Sequence, residues 1–250
     1  MKKHSILAVV AVLVTMAGCR NDEPVPPELG APKLRVHVVP QWGADPLHLF
    51  TEYRAPGNYR FQVEMLEMYL SEIKLMGVSD TVQLADVRLL NLGAGNFDLD
   101  FEAPAGTWTG MRAGVGVSPD LNHSDPALYP NSNPLSVSTG MHWNWSQGYK
   151  FVLFDGRYDA NPNSTTPLIS GFSIHTGRDT CYKPMLLPAV LPFTTKKGEV
   201  TEVTWRVQVD EFLGTGSSTM NVTTENQGHG ENVPLELKLT RNVTNSFHLE

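Results

Sequence analysis

The sequence predicts an all-β protein, a single-domain antiparallel β-sandwich of immunoglobulin-like or jelly-roll type. Short segments rich in β-branched and aromatic residues recur along the chain, each fenced by glycine, proline or asparagine. No long segment shows the spacing of an amphipathic helix, so a sheet here has little to pack against except another sheet. A closed barrel is the alternative.

The first element is an export signal. Met1, Lys2 and Lys3 precede an apolar run from Ile6 to Met16, followed by Ala17, Gly18 and Cys19. A basic start, a short apolar stretch and a small-residue cleavage site are what export machinery reads, and the run is too short to span a bilayer comfortably. Met16-Ala17-Gly18-Cys19 resembles a lipobox, so residues 1–18 are expected to be removed and Cys19 lipidated. An ordinary cleaved signal with an incidental cysteine is the other reading. Residues 19–32 carry Pro24, Pro26, Pro27, Gly30 and Pro32 with little to bury, the composition of a stiff, solvated tether. That tether would hold a domain of residues 33–249 off a membrane. Arg20 follows Cys19 with no aspartate retention signal, which favours the outer membrane and the periplasm.

Within the domain, strands are expected at Lys33–Val39, Met68–Val78, Trp108–Val117, Lys150–Asp155, Ile169–His175, Val200–Val209 and Leu235–Leu239. Val203, Trp205, Val207 and Val209 alternate with polar partners, so that strand has one buried and one wet face. Phe61–Leu70 carries both spacings and reads as a strand with a helical lead-in. Ala94-Gly95-Asn96, Ala103-Pro104-Ala105-Gly106, Asn161-Pro162-Asn163-Ser164 and Gly214-Thr215-Gly216 are turn sequences.

Composition excludes some functions. A net charge of −7, with Lys196-Lys197 the only basic pair outside the signal, offers no basic stripe for a nucleic-acid partner. The cysteines are Cys19 and Cys181, so a lipidated Cys19 leaves no internal disulfide. No phosphate loop, nucleophile elbow or Cys-x-x-Cys occurs. Asp155, Asp159 and Asp179 are scattered acids with no partner base at a telling spacing, so no catalysis is expected.

The candidate chemistry lies in Asn122-His123, Met141-His142-Trp143-Asn144-Trp145 and Phe172-Ser173-Ile174-His175. On an extended chain Trp143 and Trp145 share one side about 7 Å apart, with His142 and Asn144 on the other. A metal ligand partnered with Trp143 must therefore come from a neighbouring strand, and His175 is the candidate. On spacing alone a Trp-x-Trp pair is more often a core wedge than a site. His123 reads as a solvated turn residue and His37 as a half-buried strand residue; His229, in Asn226-Gln227-Gly228-His229-Gly230, reads as a loop residue and is undecided, and the contexts of His48 and His248 suggest nothing. Imidazoles suit copper, zinc, iron or nickel without selecting one.

The order Asn122-His123, Pro134-Leu135, Met141, Trp143, Trp145, Gly148-Tyr149-Lys150-Phe151, His175-Thr176-Gly177 and Cys181 resembles the MbnP family, periplasmic copper proteins encoded beside di-haem partner enzymes. Tyr69 to Leu75 and Gly114-Val115-Gly116-Val117 also resemble family segments. The resemblance implies a β-sandwich that holds copper, Cu(I) or Cu(II), with His175, His123 and His37 as ligands. It further implies a kynurenine made from a tryptophan by a di-haem cytochrome c peroxidase or MauG-like partner. Trp143 and Trp145 are the candidates, with Trp108 behind them. Much of the family carries four cysteines, so this chain resembles a disulfide-poor lipoprotein branch. The competing expectation is a non-catalytic surface binding module that grips a polymer or protein with its aromatic face and holds no metal.

Overall fold

Leu34, Val36 and Val38 of β1 (Lys33–Trp42) are fully buried, while Arg35 and His37 between them, and Val39 after them, are not. That two-residue alternation makes β1 the inner strand of a sheet with one face on a core. The remaining strands, in chain order, are β2 (Asp45–Pro46), β3 (Glu52–Arg54), β4 (Arg60–Met76), β5 (Thr81–Asn91), β6 (Phe97–Glu102), β7 (Gly106–Val115), β8 (His142–Asn144), β9 (Gly148–Asp159), β10 (Ser170–Gly177), β11 (Lys183–Thr195), β12 (Val200–Gln208), β13 (Gln227–His229) and β14 (Phe247–Leu249). The described residues also form two α-helices, α1 (Pro119–Asn122) and α2 (Val233–Asn245), and six short 3-10 helices. The computed structural model describes residues 29–144 and 147–250. The expected signal, the lipidation at Cys19, most of the tether and Trp145 lie outside the described residues.

The strands form a sandwich-like single domain. The smaller sheet runs β14-β12-β1-β2, with β6 also on β1; the larger runs β11-β7-β4-β9-β10-β13, with β3 and β5 on β4 and β8 on β9. Between them lie Phe61, Phe154 and Phe172, with ring centroids 5.0–6.0 Å apart, together with Trp205 and Phe212. Each such side chain contributes about 1.5–3 kcal/mol by leaving water. Pairing is not antiparallel throughout: β1 runs parallel to β12, and β10 parallel to β13. Both pairs join strands far apart in sequence, the long crossover that parallel neighbours need.

The larger sheet also buries part of its outer face. Tyr69, Tyr149, Phe151, Leu153, Met141, Leu135 and Cys181 form a second apolar cluster there, opposite in facing to Met68, Leu70, Val152 and Phe154. The excursion between β7 and β8 contributes Leu135 and Met141 and so covers this end of the sheet.

Two sequence expectations are corrected, and strands such as β5, β6 and β11 fall outside the expected ones. Leu235–Leu239 is not a strand but part of α2: Leu235, Leu237 and Leu239 alternate like a strand, yet Asn232 caps Leu235 N–H and Leu235, Leu239 and Val243 are buried at helical spacing. Phe61–Leu70 has no helical lead-in and belongs wholly to β4. β11 was missed because Pro184, Pro188 and Pro192 interrupt it; as an edge strand it tolerates them, and its register with β7 breaks between Pro188 and Phe193.

Candidate metal centre

β9 and β10 pair with Ser173 opposite Asp155 and His175 opposite Leu153. Phe172 and Ile174 enter the sandwich, so Ser173, His175 and Asp155 stand together on the outer face of the sheet. β13 adds in parallel on the far side of β10 and sets His229 opposite His175, their ring centroids 4.7 Å apart. His175 Nε2 lies 2.9 Å from Asp155 Oδ1 and 3.2 Å from Ser173 Oγ. The same hydroxyl is 2.8 Å from His229 Nε2. One carboxylate and one hydroxyl thus fix two imidazoles side by side. The His175 side chain is only 14% exposed, which shields it from bulk water.

Trp143 on β8 brings its ring centroid to 6.3 Å from that of His175. Gly177 makes the approach possible: a Cβ there would sit 2.5 Å from Trp143 Cζ3 and 2.8 Å from the Tyr149 carbonyl oxygen. His142 faces elsewhere, edge-on to Tyr149 at 4.9 Å between centroids, and burial holds its imidazole below the usual range. The alternation along β8 therefore gives Trp143 and His142 different neighbours, and the imidazole beside Trp143 comes from β10.

The donor set suits a transition metal. Two adjacent imidazoles are ligands for copper, zinc, iron or nickel. With His175 Nε2–H donating to Asp155, Nδ1 carries the lone pair, the arrangement in which a carboxylate orients a metal-binding histidine. Among the described residues no group of three or more His, Cys, Asp or Glu is arranged to hold a metal ion. The imidazoles offer two donors, and the Trp143 ring lies beside that of His175.

His123 sits on the neighbouring rim. Its Nε2 lies 2.9 Å from Asp179 Oδ2, whose other oxygen accepts from Asn122 Nδ2 at 2.8 Å. Burial raises the Asp179 carboxyl, and these two bonds outweigh it, leaving it below its ordinary range. Asn122 is fully buried and its Oδ1 accepts from Tyr149 N–H, so it anchors the rim to β9. His123, Asp179, Arg178, Gln147 and Val233 line a cleft of about 340 Å³. Gln147 and Arg178 also close over Gly230, next to His229.

His37 is not part of this group. It lies on the outer face of the smaller sheet, with Nδ1 2.8 Å from Asp98 Oδ1 and Nε2 3.6 Å from Glu202. The bond to Asp98 raises its pKa. Trp108 is likewise apart, buried inside the sandwich with Nε1 donating to Thr195 Oγ1 at 2.9 Å. Two residues that sequence reasoning passed over belong to the group: Asp155, which spacing left among unpartnered acids, and His229, which looked like a loop residue. Only the pairing of β13 with β10 reveals the second; glycines on both sides of His229 were its one local signal, marking close backbone approach.

A family model described as MbnP matches residues 31–232. The solved structure of MbnP from Methylosinus trichosporium aligns with a TM-score of 0.49 at 15% identity, covering 74% of this chain and 78% of that one. Curated proteins give no match. The family match spans every strand from β1 to β13 and both imidazoles of the pair, and this chain belongs to the MbnP family.

Proposed function

We propose that the protein binds copper, for storage, carriage or homeostasis, through His175 and His229 on the outer face of the larger sheet. The observation that carries this reading is the paired imidazoles, oriented by Asp155 and Ser173. Family membership supports a metal-binding role, and a cuprous or cupric ion accepts imidazole nitrogen readily. Asp155 and Ser173 orient the rings; Trp143 and the cleft beside Gly230 bound the site.

Trp143 is the residue we assign to oxidative modification. Its half-buried indole lies against His175, so opening its pyrrole ring would place new nitrogen and oxygen donors beside the pair. Two equivalents of hydrogen peroxide are the oxidant: the four-electron opening of the ring adds two oxygen atoms to the indole and leaves two molecules of water, and hydrolysis with a further water then releases formate to give kynurenine. A di-haem cytochrome c peroxidase or MauG-like partner would activate it. The protein itself acts without catalysis, as a lipoprotein anchored through Cys19 at the periplasmic or outer-membrane surface.

The test is an anaerobic Cu(I) titration of the chain from Arg20 onward against a competing chelator. Saturable uptake that His175→Ala abolishes supports the reading. Uptake that survives His175→Ala, or none before or after treatment with peroxide and a di-haem enzyme, refutes it and favours a metal-free binding module.

A further inference from the structure

β13 is three residues long, too short to hold a register by its own ladder. It is tied down from α2. Asn232 Nδ2 donates to the Gln227 carbonyl at 3.2 Å, and Glu236 Oε1 accepts from Gly230 N–H at 2.7 Å. Gly228 lies against the same helical turn, where a Cβ would be 3.5 Å from Glu236 Cγ and 3.6 Å from Asn232 Cβ. Both ends of the segment carrying His229 are therefore fastened to the first turn of α2.

Glu236 is an expensive residue to use for this. It is completely buried, and among the described residues its Oε2 has no hydrogen-bond partner. Burial raises its pKa. A buried polar oxygen left unpaired loses its hydration with no hydrogen bond in return. The packing of α2 does not call for a carboxyl, since Leu235, Leu239 and Val243 already form its apolar face. Among the described residues, the carboxyl of Glu236 reaches outside α2 to accept from Gly230 N–H, directly beside His229.

We propose that Glu236 is a positioning residue of the metal centre, whose buried carboxyl holds the Gly228–Gly230 backbone so that the His229 imidazole stands against His175. This rests on reading His175 and His229 as metal donors. Glu236 lies beyond the residues 31–232 that match the family model, so the support comes from this chain's own C-terminal helix.

The experiment compares Cu(I) affinity, against a competing chelator, for the chain from Arg20 onward and its Glu236→Ala, Glu236→Gln, His229→Ala and Glu236→Ala/His229→Ala variants. Exchange of the Gly230 amide is followed by NMR on the same metal-free proteins. Glu236→Ala is expected to expose the Gly230 amide and to weaken copper binding about 10- to 100-fold, the usual range for outer-shell supports. In the His229→Ala background, Glu236→Ala should cost nothing further, because the donor it positions is already gone. Glu236→Gln, whose amide oxygen can still accept from Gly230, should restore both readouts. Unchanged affinity in Glu236→Ala, or losses that add in the double variant, overturns the proposal while the copper reading stands. A parent chain that takes up no copper overturns both. Should Glu236→Ala fail to fold, Asn232→Ala unties the other end of the same strand and gives the same comparison.

Discussion

His229 stands opposite His175 across the parallel pairing of β13 and β10, with Ser173 Oγ within 3.2 Å of Nε2 on both rings. Two residues more than fifty positions apart are thereby held as neighbours by backbone pairing, and the shared hydroxyl links their orientations. Removing that hydroxyl with Ser173→Ala should weaken copper binding about tenfold while leaving the fold intact, since the outer shell sets ring orientation. Chelator competition checks the first, and an unchanged melting curve the second.

Gly177 sets the depth of Trp143. Adding a methyl group there would collide with the indole and with the Tyr149 carbonyl, and backbone cannot yield as a flexible side chain can. Gly177→Ala is expected to destabilise the protein by about 1–3 kcal/mol and to push Trp143 away from His175. Denaturant unfolding measures the first. Quenching of Trp143 fluorescence by added copper, weaker in the variant, measures the second.

Asn122 and His123 are adjacent yet should behave differently. Asn122 is fully buried and bridges Asp179 to Tyr149 N–H, so Asn122→Ala leaves a buried donor unpaired at a cost of about 1–3 kcal/mol. His123 is largely exposed, so His123→Ala should change unfolding by under about 1 kcal/mol. Urea midpoints for the two variants, at equal m-value, decide this.

His37 gives a pH signature separate from metal. Its pKa is raised in the folded protein by the hydrogen bond to Asp98, so the stability it contributes is fully present below its unfolded value and is lost as pH rises through the folded one. Unfolding midpoints from about pH 6 to about pH 8.5 should fall in the wild type, and His37→Gln should remove part of that fall. Copper affinity should be the same in both, because His37 belongs to the other sheet. A His37→Gln chain with reduced affinity would place His37 in the centre after all.

Much of the fold was legible because its strands carry their own signal. β1 and β12 alternate, and β9 and β10 are β-branched or aromatic runs between turns. β11 was not, since its prolines are tolerated only at an edge that the sequence does not announce. α2 imitated a strand because Leu235, Leu237 and Leu239 alternate, and the Asn232 cap outranked that pattern. The separation of Trp143 from His142 followed from two-residue periodicity, which required the imidazole beside Trp143 to come from a neighbouring strand; His175 was the candidate there because it lies on its own strand and within a family-like motif. The roles of Asp155, His229 and Glu236 did not follow from periodicity, because each depends on which strands or helices meet across long connections. Periodicity also placed His37 on a strand without saying which sheet that strand would join.

The most direct test of the account is to measure Cu(I) affinity for the parent chain beside His175→Ala, His229→Ala and the double variant. The account predicts that each single change removes tight binding and that the double variant is no worse than either. Wild-type affinity in His229→Ala would contradict it, showing that the paired imidazoles are not the site.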